Sequence, residues 1–117
     1  MSIKLKEMRC NCGCKRHEKK MDKQFMAMIR DARSMVVTPF IITSGYRCPS
    51  YNKSVGGKTN SAHLKGKACD IAVKNDEDRI VMVQALLDAG FERLGIGKDF
   101  IHADSSTDLP WPRMWVY

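Results

Sequence analysis

Between Gly90 and Asp104 the chain carries two short strand-like runs, Glu92–Ile96 and Phe100–Asp104, with only three residues between them. Parallel neighbours need a crossover of about a dozen residues or more, so consecutive strands this close must pair antiparallel. Upstream, Ala68–Val73 alternates in the way of a half-buried strand. Cys69, Ile71 and Val73 fall on one face, and Ala68, Asp70 and Ala72 on the other. The first face belongs in a core. The second sets a carboxylate between two alanines, which leaves open space around it. Phe40–Ser44 reads as a further short buried strand, and the tail Trp111–Tyr117 as a last edge strand.

Helical periodicity fills the intervals. From Lys19 to about Val37 the apolar residues fall at Met21, Phe25, Met28/Ile29, Ala32 and Met35/Val36, a three-to-four spacing that Thr38-Pro39 stops. Asn75-Asp-Glu-Asp78 opens a second helix with acids in its first turn. Ile80, Val83 and Leu86/Leu87 supply its buried stripe, and Gly90 closes it. A short helix over Ser50–Val55 ends at Gly56-Gly57, and Lys58–Lys67 is a polar loop. The fold class is α+β: a small antiparallel sheet with helices packed on one side. A chain of 117 residues has room for one domain, 1–117, burying roughly two-thirds of its unfolded surface. Within it, 1–18 is a basic, Cys-bearing lead-in and 40–117 carries the motifs.

No apolar run approaches the roughly 20 residues that span a bilayer, and Met1–Glu7 has no apolar signal region. The expectation is a monomer that is cytoplasmic, without a signal peptide or membrane span. Net charge is +7, of which +6 lies in residues 1–33. Such a segment attracts a polyanion or simply presents a solvated helix face, and charge alone does not separate the two. No groove-reading motif accompanies it, so nucleic acid is not an expected partner. Five cysteines, an odd number, argue against a full disulfide framework. Cys10, Cys12 and Cys14 are spaced C-x-C-x-C, with no second Cys/His pair at zinc-finger distance. Strained loop thiols are expected there, with a structural metal or a redox-formed bridge as the alternative.

The chemistry centres on His63, Asp70 and His102. Two imidazoles and a carboxylate suit a catalytic zinc, whose fourth position stays open, whereas a structural site is normally closed by a fourth ligand. Cys69 is a poor fourth ligand because alternation turns it away from Asp70.

These residues stand within a recognisable series: Ser44-Gly-Tyr-Arg-Cys-Pro-Ser-Tyr-Asn52, Val55-Gly-Gly57, Ser61-Ala-His-Leu-Lys-Gly-Lys-Ala-Cys-Asp-Ile71, Gly95-Ile-Gly97 and Phe100-Ile-His-Ala-Asp104. From about Phe40 to Tyr117 the chain resembles the zinc D-alanyl-D-alanine carboxypeptidase family, which includes murein endopeptidases and phage endolysins. The N-terminal stretch resembles small phage-borne members more weakly. The resemblance implies a hedgehog/D-Ala-D-Ala-peptidase-like fold and Zn2+ held by His63, Asp70 and His102. It also implies hydrolysis of peptide bonds in peptidoglycan stem peptides or cross-links, as in a phage-type endolysin acting on the wall after release.

A carboxylate must then move the proton of the attacking water. Asp99, three residues before His102, matches a D/E-x-x-H pattern of the family, and Asp104, two after it, matches an H-x-D pattern. In a regular strand Asp104 shares the face of His102 and Asp99 does not. Asp99 ranks first as base, with Asp104 as a group that orients a ligand. Arg47 matches an active-site arginine of relatives, where a guanidinium stabilises an oxyanion or clamps a carboxylate. Ser61 bonds substrate or caps its loop, the cap being the simpler role. Trp111, Trp115 and Tyr117 are expected to finish the core, as aromatics near a terminus commonly anchor it, with walling the cleft as the alternative role. If the basic N-terminal third meets a polyanion, the expected partner is an anionic cell-wall surface. The competing reading is a non-catalytic, metal-stabilised wall-binding or virion module on the same fold.

Overall fold

Five strands form one sheet in the order β1-β2-β4-β3-β5: β1 Ile42–Ser44, β2 Ala68–Ala72, β3 Arg93–Ile96, β4 Phe100–Asp104 and β5 Arg113–Val116. The structure is a computed structural model and describes residues 3–117; Met1 and Ser2, at the start of the lead-in, lie outside it. Among the described residues four helices accompany the sheet: α1 His17–Lys20, α2 Lys23–Ser34, α3 Pro49–Ser54 and α4 Asp76–Asp88. The expected α+β class is what forms. The β3–β4 hairpin is antiparallel, as its three-residue link requires, and β1–β2 and β2–β4 are antiparallel too.

β5 departs from the expected sheet. It lies at the edge but runs parallel to β3, pairing Arg93 with Arg113 and Gly95 with Trp115. The chain leaves β4 beside the start of β3 and needs only to step across that end. A parallel neighbour thus arises without the long crossover that consecutive parallel strands demand.

The inner face of the sheet carries Cys69, Ile71, Leu94, Ile101 and Ala103, all buried. Against it lie Phe25, Met26, Ile29 and Ala32 of α2 and Met82, Ala85 and Leu86 of α4 in one apolar cluster. Phe25 meets Phe91 edge to face, with ring centroids 5.7 Å apart, an arrangement aromatic pairs prefer.

Two helical expectations need correction. The stretch from Lys19 is not one helix: it breaks at Met21, and α2 starts after Asp22, whose carboxylate accepts from the Phe25 N–H at 2.8 Å. The break comes from a tertiary contact. Asp22 N–H donates to Gly66 O at 2.9 Å, and Gly66, at φ +69°, sits so close that a Cβ would lie 1.9 Å from Lys20 O. α4 buries Met82, Ala85 and Leu86, while Ile80 is 71% exposed and Leu87 45%. Apolar residues surround this helix almost completely, so its periodicity leaves the inward face undefined. The loop Lys58–Lys67 also holds more structure than expected, a 3-10 turn over Ala62–Lys65.

The lead-in has one 3-10 turn, Leu5–Met8, and is held by side chains. Arg30 Nε donates to Ile3 O at 2.8 Å, and the Arg33 guanidinium meets both Glu7 oxygens at 3.0 Å. Tyr46 N–H donates to Met8 O at 2.9 Å, and a Cβ on Gly45 would fall 2.6 Å from Met8 Cα.

Candidate active site

The outer face of the sheet presents one row of residues across all five strands: Ser44, Asp70, His102, Gly95 and Trp115, paired in that order. Asp70 projects from β2 on the face that alternation assigns it, and His102 stands directly opposite on β4. His63 comes from outside the sheet, on the 3-10 turn. Ser61 caps that turn by accepting from the His63 N–H at 3.2 Å, the simpler of its two expected roles.

The structure brings His63, Asp70 and His102 together, with one donor atom from each within 4.8 Å of the others. Asp70 Oδ1 lies 3.4 Å from His63 Nε2 and 3.1 Å from His102 Nδ1. Ligand atoms held about 2.1 Å from a tetrahedral zinc lie about 3.4 Å from one another, so this donor set fits such an ion. The outer nitrogens are also provided for. His63 Nδ1 is 2.7 Å from Gly45 O, which fixes the proton on Nδ1 and leaves the Nε2 lone pair toward Asp70. His102 is turned the other way: its Nε2 meets Asp104 Oδ2 at 2.7 Å, and Nδ1 faces the triad.

Burial alone pushes the Asp70 carboxyl up, yet hydrogen bonds with His102 and His63 and their charge hold it well below the usual carboxylate range. Burial likewise opposes charge on His102, but Asp104 and Asp70 on either side raise its pKa above the ordinary imidazole value. Two carboxylates thus raise the basicity of this ring against the effect of its burial.

Arg47 reaches the same place. Its Nη2 lies 3.5 Å from Asp70 Oδ2, while Nε and Nη1 face Ser44 Oγ at 3.3 Å and Asn52 Oδ1 at 3.4 Å. The two candidate acids are placed very differently. Asp104 is 1% exposed, behind the His102 ring. Its Oδ1 accepts from Arg93 Nε at 2.8 Å and from Ser106 N–H at 3.1 Å. Asp99 is exposed on the bend between β3 and β4, and its backbone carbonyl accepts from Val73 N–H at 2.8 Å.

The C-terminal aromatics do not finish the core. Trp115 packs beside His102 with centroids 5.5 Å apart and takes the Arg93 guanidinium over its ring at 4.9 Å. Tyr117 stacks toward Phe100 at 4.9 Å, while Trp111 is exposed on a loop away from this row. Gly95 makes this possible, because a Cβ there would meet Trp115 Nε1 at 2.6 Å. A surface cavity of about 300 Å3 opens beyond Asp104, bordered by Lys67, Arg93, Ser106 and Trp111, and none of the triad lines it.

Sequence reasoning assigned no role to Arg93, Asn52 or the Gly45 carbonyl. Arg93 had a legible signal, since the short hairpin places it opposite Asp104. Asn52 had none: only the structure shows that a Cβ on Gly57 would lie 2.0 Å from its Oδ1.

Comparison with known families finds that the profile of the Peptidase M15 family matches residues 1–104. The match covers the N-terminal stretch, where the sequence resemblance was weaker, and runs through His102 and Asp104. A search of curated proteins yields no match.

Proposed function

The chain belongs to the Peptidase M15 family of zinc metallopeptidases, and on that premise we propose that it hydrolyses peptide bonds in the stem peptides or cross-links of bacterial peptidoglycan, in the manner of a phage endolysin. The observation that carries this reading is the convergence of His63, Asp70 and His102 beside the Arg47 guanidinium on the outer face of the sheet. These three residues would hold the zinc. When bound, zinc supplies Lewis acidity that activates water near neutral pH and polarises a carbonyl.

The remaining work falls to the chain's own side chains. Gly45 O and Asp104 hold the two imidazoles in the tautomers that aim Nε2 of His63 and Nδ1 of His102 inward. Asp104 is a positioning residue, because its oxygens engage Arg93, Ser106 and the far side of the His102 ring. Asp99, whose carboxylate has no protein partner among the described residues, takes the proton from the attacking water and passes it to the leaving amine. Arg47 stabilises negative charge as it develops on the substrate's carbonyl oxygen. Phe100, Trp115 and Tyr117 wall one side of the site. The basic N-terminal third contacts the anionic wall, and the whole of 1–117 acts as one domain. Among the described residues no helix is long and apolar enough to cross a membrane. On this reading the protein acts on the wall after release from a cytoplasmic pool.

The test is digestion of purified peptidoglycan by the zinc-supplemented protein, with released fragments read by mass spectrometry. New peptide termini that vanish with a chelator and return with zinc are expected. Free D-alanine would mark a carboxypeptidase, and larger fragments an endopeptidase. No new termini on either lysine- or diaminopimelate-type walls would overturn the reading. Persistent wall binding in that case would favour the non-catalytic module.

A further inference from the structure

Cys10, Cys12 and Cys14 lie within five residues, and the fold delivers a fourth thiol to them from the turn after β1. Cys48 Sγ is 3.8 Å from Cys10 Sγ and 3.6 Å from Cys12 Sγ, and Cys10 and Cys12 are 3.3 Å apart. With Cys14, the four sulfurs lie within 4.8 Å of one another, and none is bridged. Local spacing does not disclose the cluster, because Cys48 lies far from Cys14 in sequence. We propose that Cys10, Cys12, Cys14 and Cys48 form a second metal site, a closed tetrathiolate centre for zinc, distinct from the triad on the outer face of the sheet.

Zinc–sulfur bonds of about 2.3 Å in a tetrahedron set the sulfurs about 3.8 Å apart, close to the separations found here. The local chain is shaped for convergence. In an extended strand, thiols at alternate positions would all point one way along a line. Here Gly13, at φ +90°, turns the chain back, and its N–H donates to Cys10 O at 3.0 Å. Backbone N–H groups also face the sulfurs: Cys14 N–H to Cys12 Sγ and Cys48 N–H to Cys10 Sγ, both at 3.4 Å. Such donors favour sulfur that carries negative charge. Lys15 and Arg16, both exposed, follow Cys14 directly in sequence. Cys10 and Cys48 are buried and Cys12 is exposed, so the site is sheltered yet open to loading from one side.

Four protein ligands leave no position for water, the mark of a structural centre, whereas the triad has three. Each thiol loses its proton to solvent as its bond to zinc forms, with no change of oxidation state. The centre ties the lead-in, which has no strand among the described residues, to the turn that carries Gly45 and Arg47. Cys48 adjoins Arg47, and the Gly45 carbonyl orients His63. The clamp therefore supports the active-site arginine from behind. It stands independently of whether the triad is catalytic.

The full chain, purified with zinc under reducing conditions, is expected to hold two zinc per molecule. His63→Ala and a Cys12→Ser/Cys48→Ser variant should each hold one. Cobalt in place of zinc should give the intense charge-transfer and visible bands of a tetrahedral thiolate complex in both wild type and His63→Ala. Alkylation of the native protein should spare Cys10, Cys12, Cys14 and Cys48 until a chelator is added. If the cysteine variant fails to fold, the cobalt spectrum of His63→Ala and the alkylation pattern decide alone. One zinc in the wild type without a cobalt–thiolate spectrum, equal alkylation with and without zinc, or a disulfide among the four in freshly purified protein would overturn the proposal.

Discussion

Replacing Asp104 with Asn keeps the side chain's shape and removes its charge, which isolates what that charge does. Arg93 Nε donates to Asp104 Oδ1 at 2.8 Å, and both side chains are almost wholly buried. Removing one partner of a buried ion pair costs about 3–5 kcal/mol. Arg93 keeps its bond to Pro110 O and its stack on Trp115, which places the expected loss near the lower bound. For a domain of this size ~3 kcal/mol lowers Tm by roughly 12 °C. A second effect acts on His102, because the Nε2–H would lose its anionic acceptor and Nδ1 would become a weaker donor. Loss of such an outer partner weakens metal binding about 10–100-fold. The pH dependence carries a sign. Burial pushes the Asp104 carboxyl up, but the hydrogen bond from His102 and the charges of His102 and Arg93 hold it below its ordinary value of 3.8. Its contribution is therefore complete above that value and lost as pH falls through the lower, folded-state pKa. In metal-free protein the gap between wild type and Asp104→Asn should narrow on acidification. Thermal melts across pH, with zinc titrations against a competing chelator, measure all three effects. A variant that melts within about 2 °C of wild type at neutral pH and binds zinc equally well would refute the reasoning.

Asp99→Asn should fold and keep zinc yet lose about 100-fold or more in turnover; a near-normal rate, with Asp104→Asn inactive while still zinc-loaded, would reverse the two assignments. Arg47→Ala should lower kcat by about 100-fold at unchanged zinc content, as one oxyanion donor commonly does, and a change confined to KM would show a substrate clamp instead. Exposed charges more than about 10 Å from a partner are screened at 0.1 M salt. Changing Lys15, Arg16, Lys19 and Lys20 to Gln, or raising salt, should therefore weaken activity on intact walls and spare a short soluble wall peptide. Equal loss on both would place this segment in the fold or the cleft.

What the sequence disclosed follows from the range of the forces that decide each feature. The outward face of Asp70 was legible because a strand's two-residue period is local, and the β3–β4 pairing because a three-residue link admits one direction. The inward face of α4 was not, since Ile80, Val81, Val83 and Leu87 compete with Met82 and Leu86 for burial. The break before α2 depends on Gly66, more than forty residues away, accepting the Asp22 N–H. Cys48 likewise joins Cys10 and Cys12 only after the chain has folded. At the site, types and order of residues were readable, but not the orientations. Nothing local says that His63 turns Nε2 inward and His102 Nδ1, because Gly45 O and Asp104 decide it.

The row Ser44–Asp70–His102–Gly95–Trp115 makes the site sensitive to chain length in a way that point substitutions do not reveal. One residue added inside β4 before His102 would turn that imidazole toward the apolar interior and bring Ile101 out in its stead. Two residues removed there would keep the outer face but slide Asp104 opposite Asp70, setting carboxylate against carboxylate. An addition in the bend at 97–99 would leave the row standing and shift only Asp99 relative to His102. Drift in this protein by insertion and deletion should therefore concentrate in its connections, with β2 and β4 holding their lengths even where their sequences change.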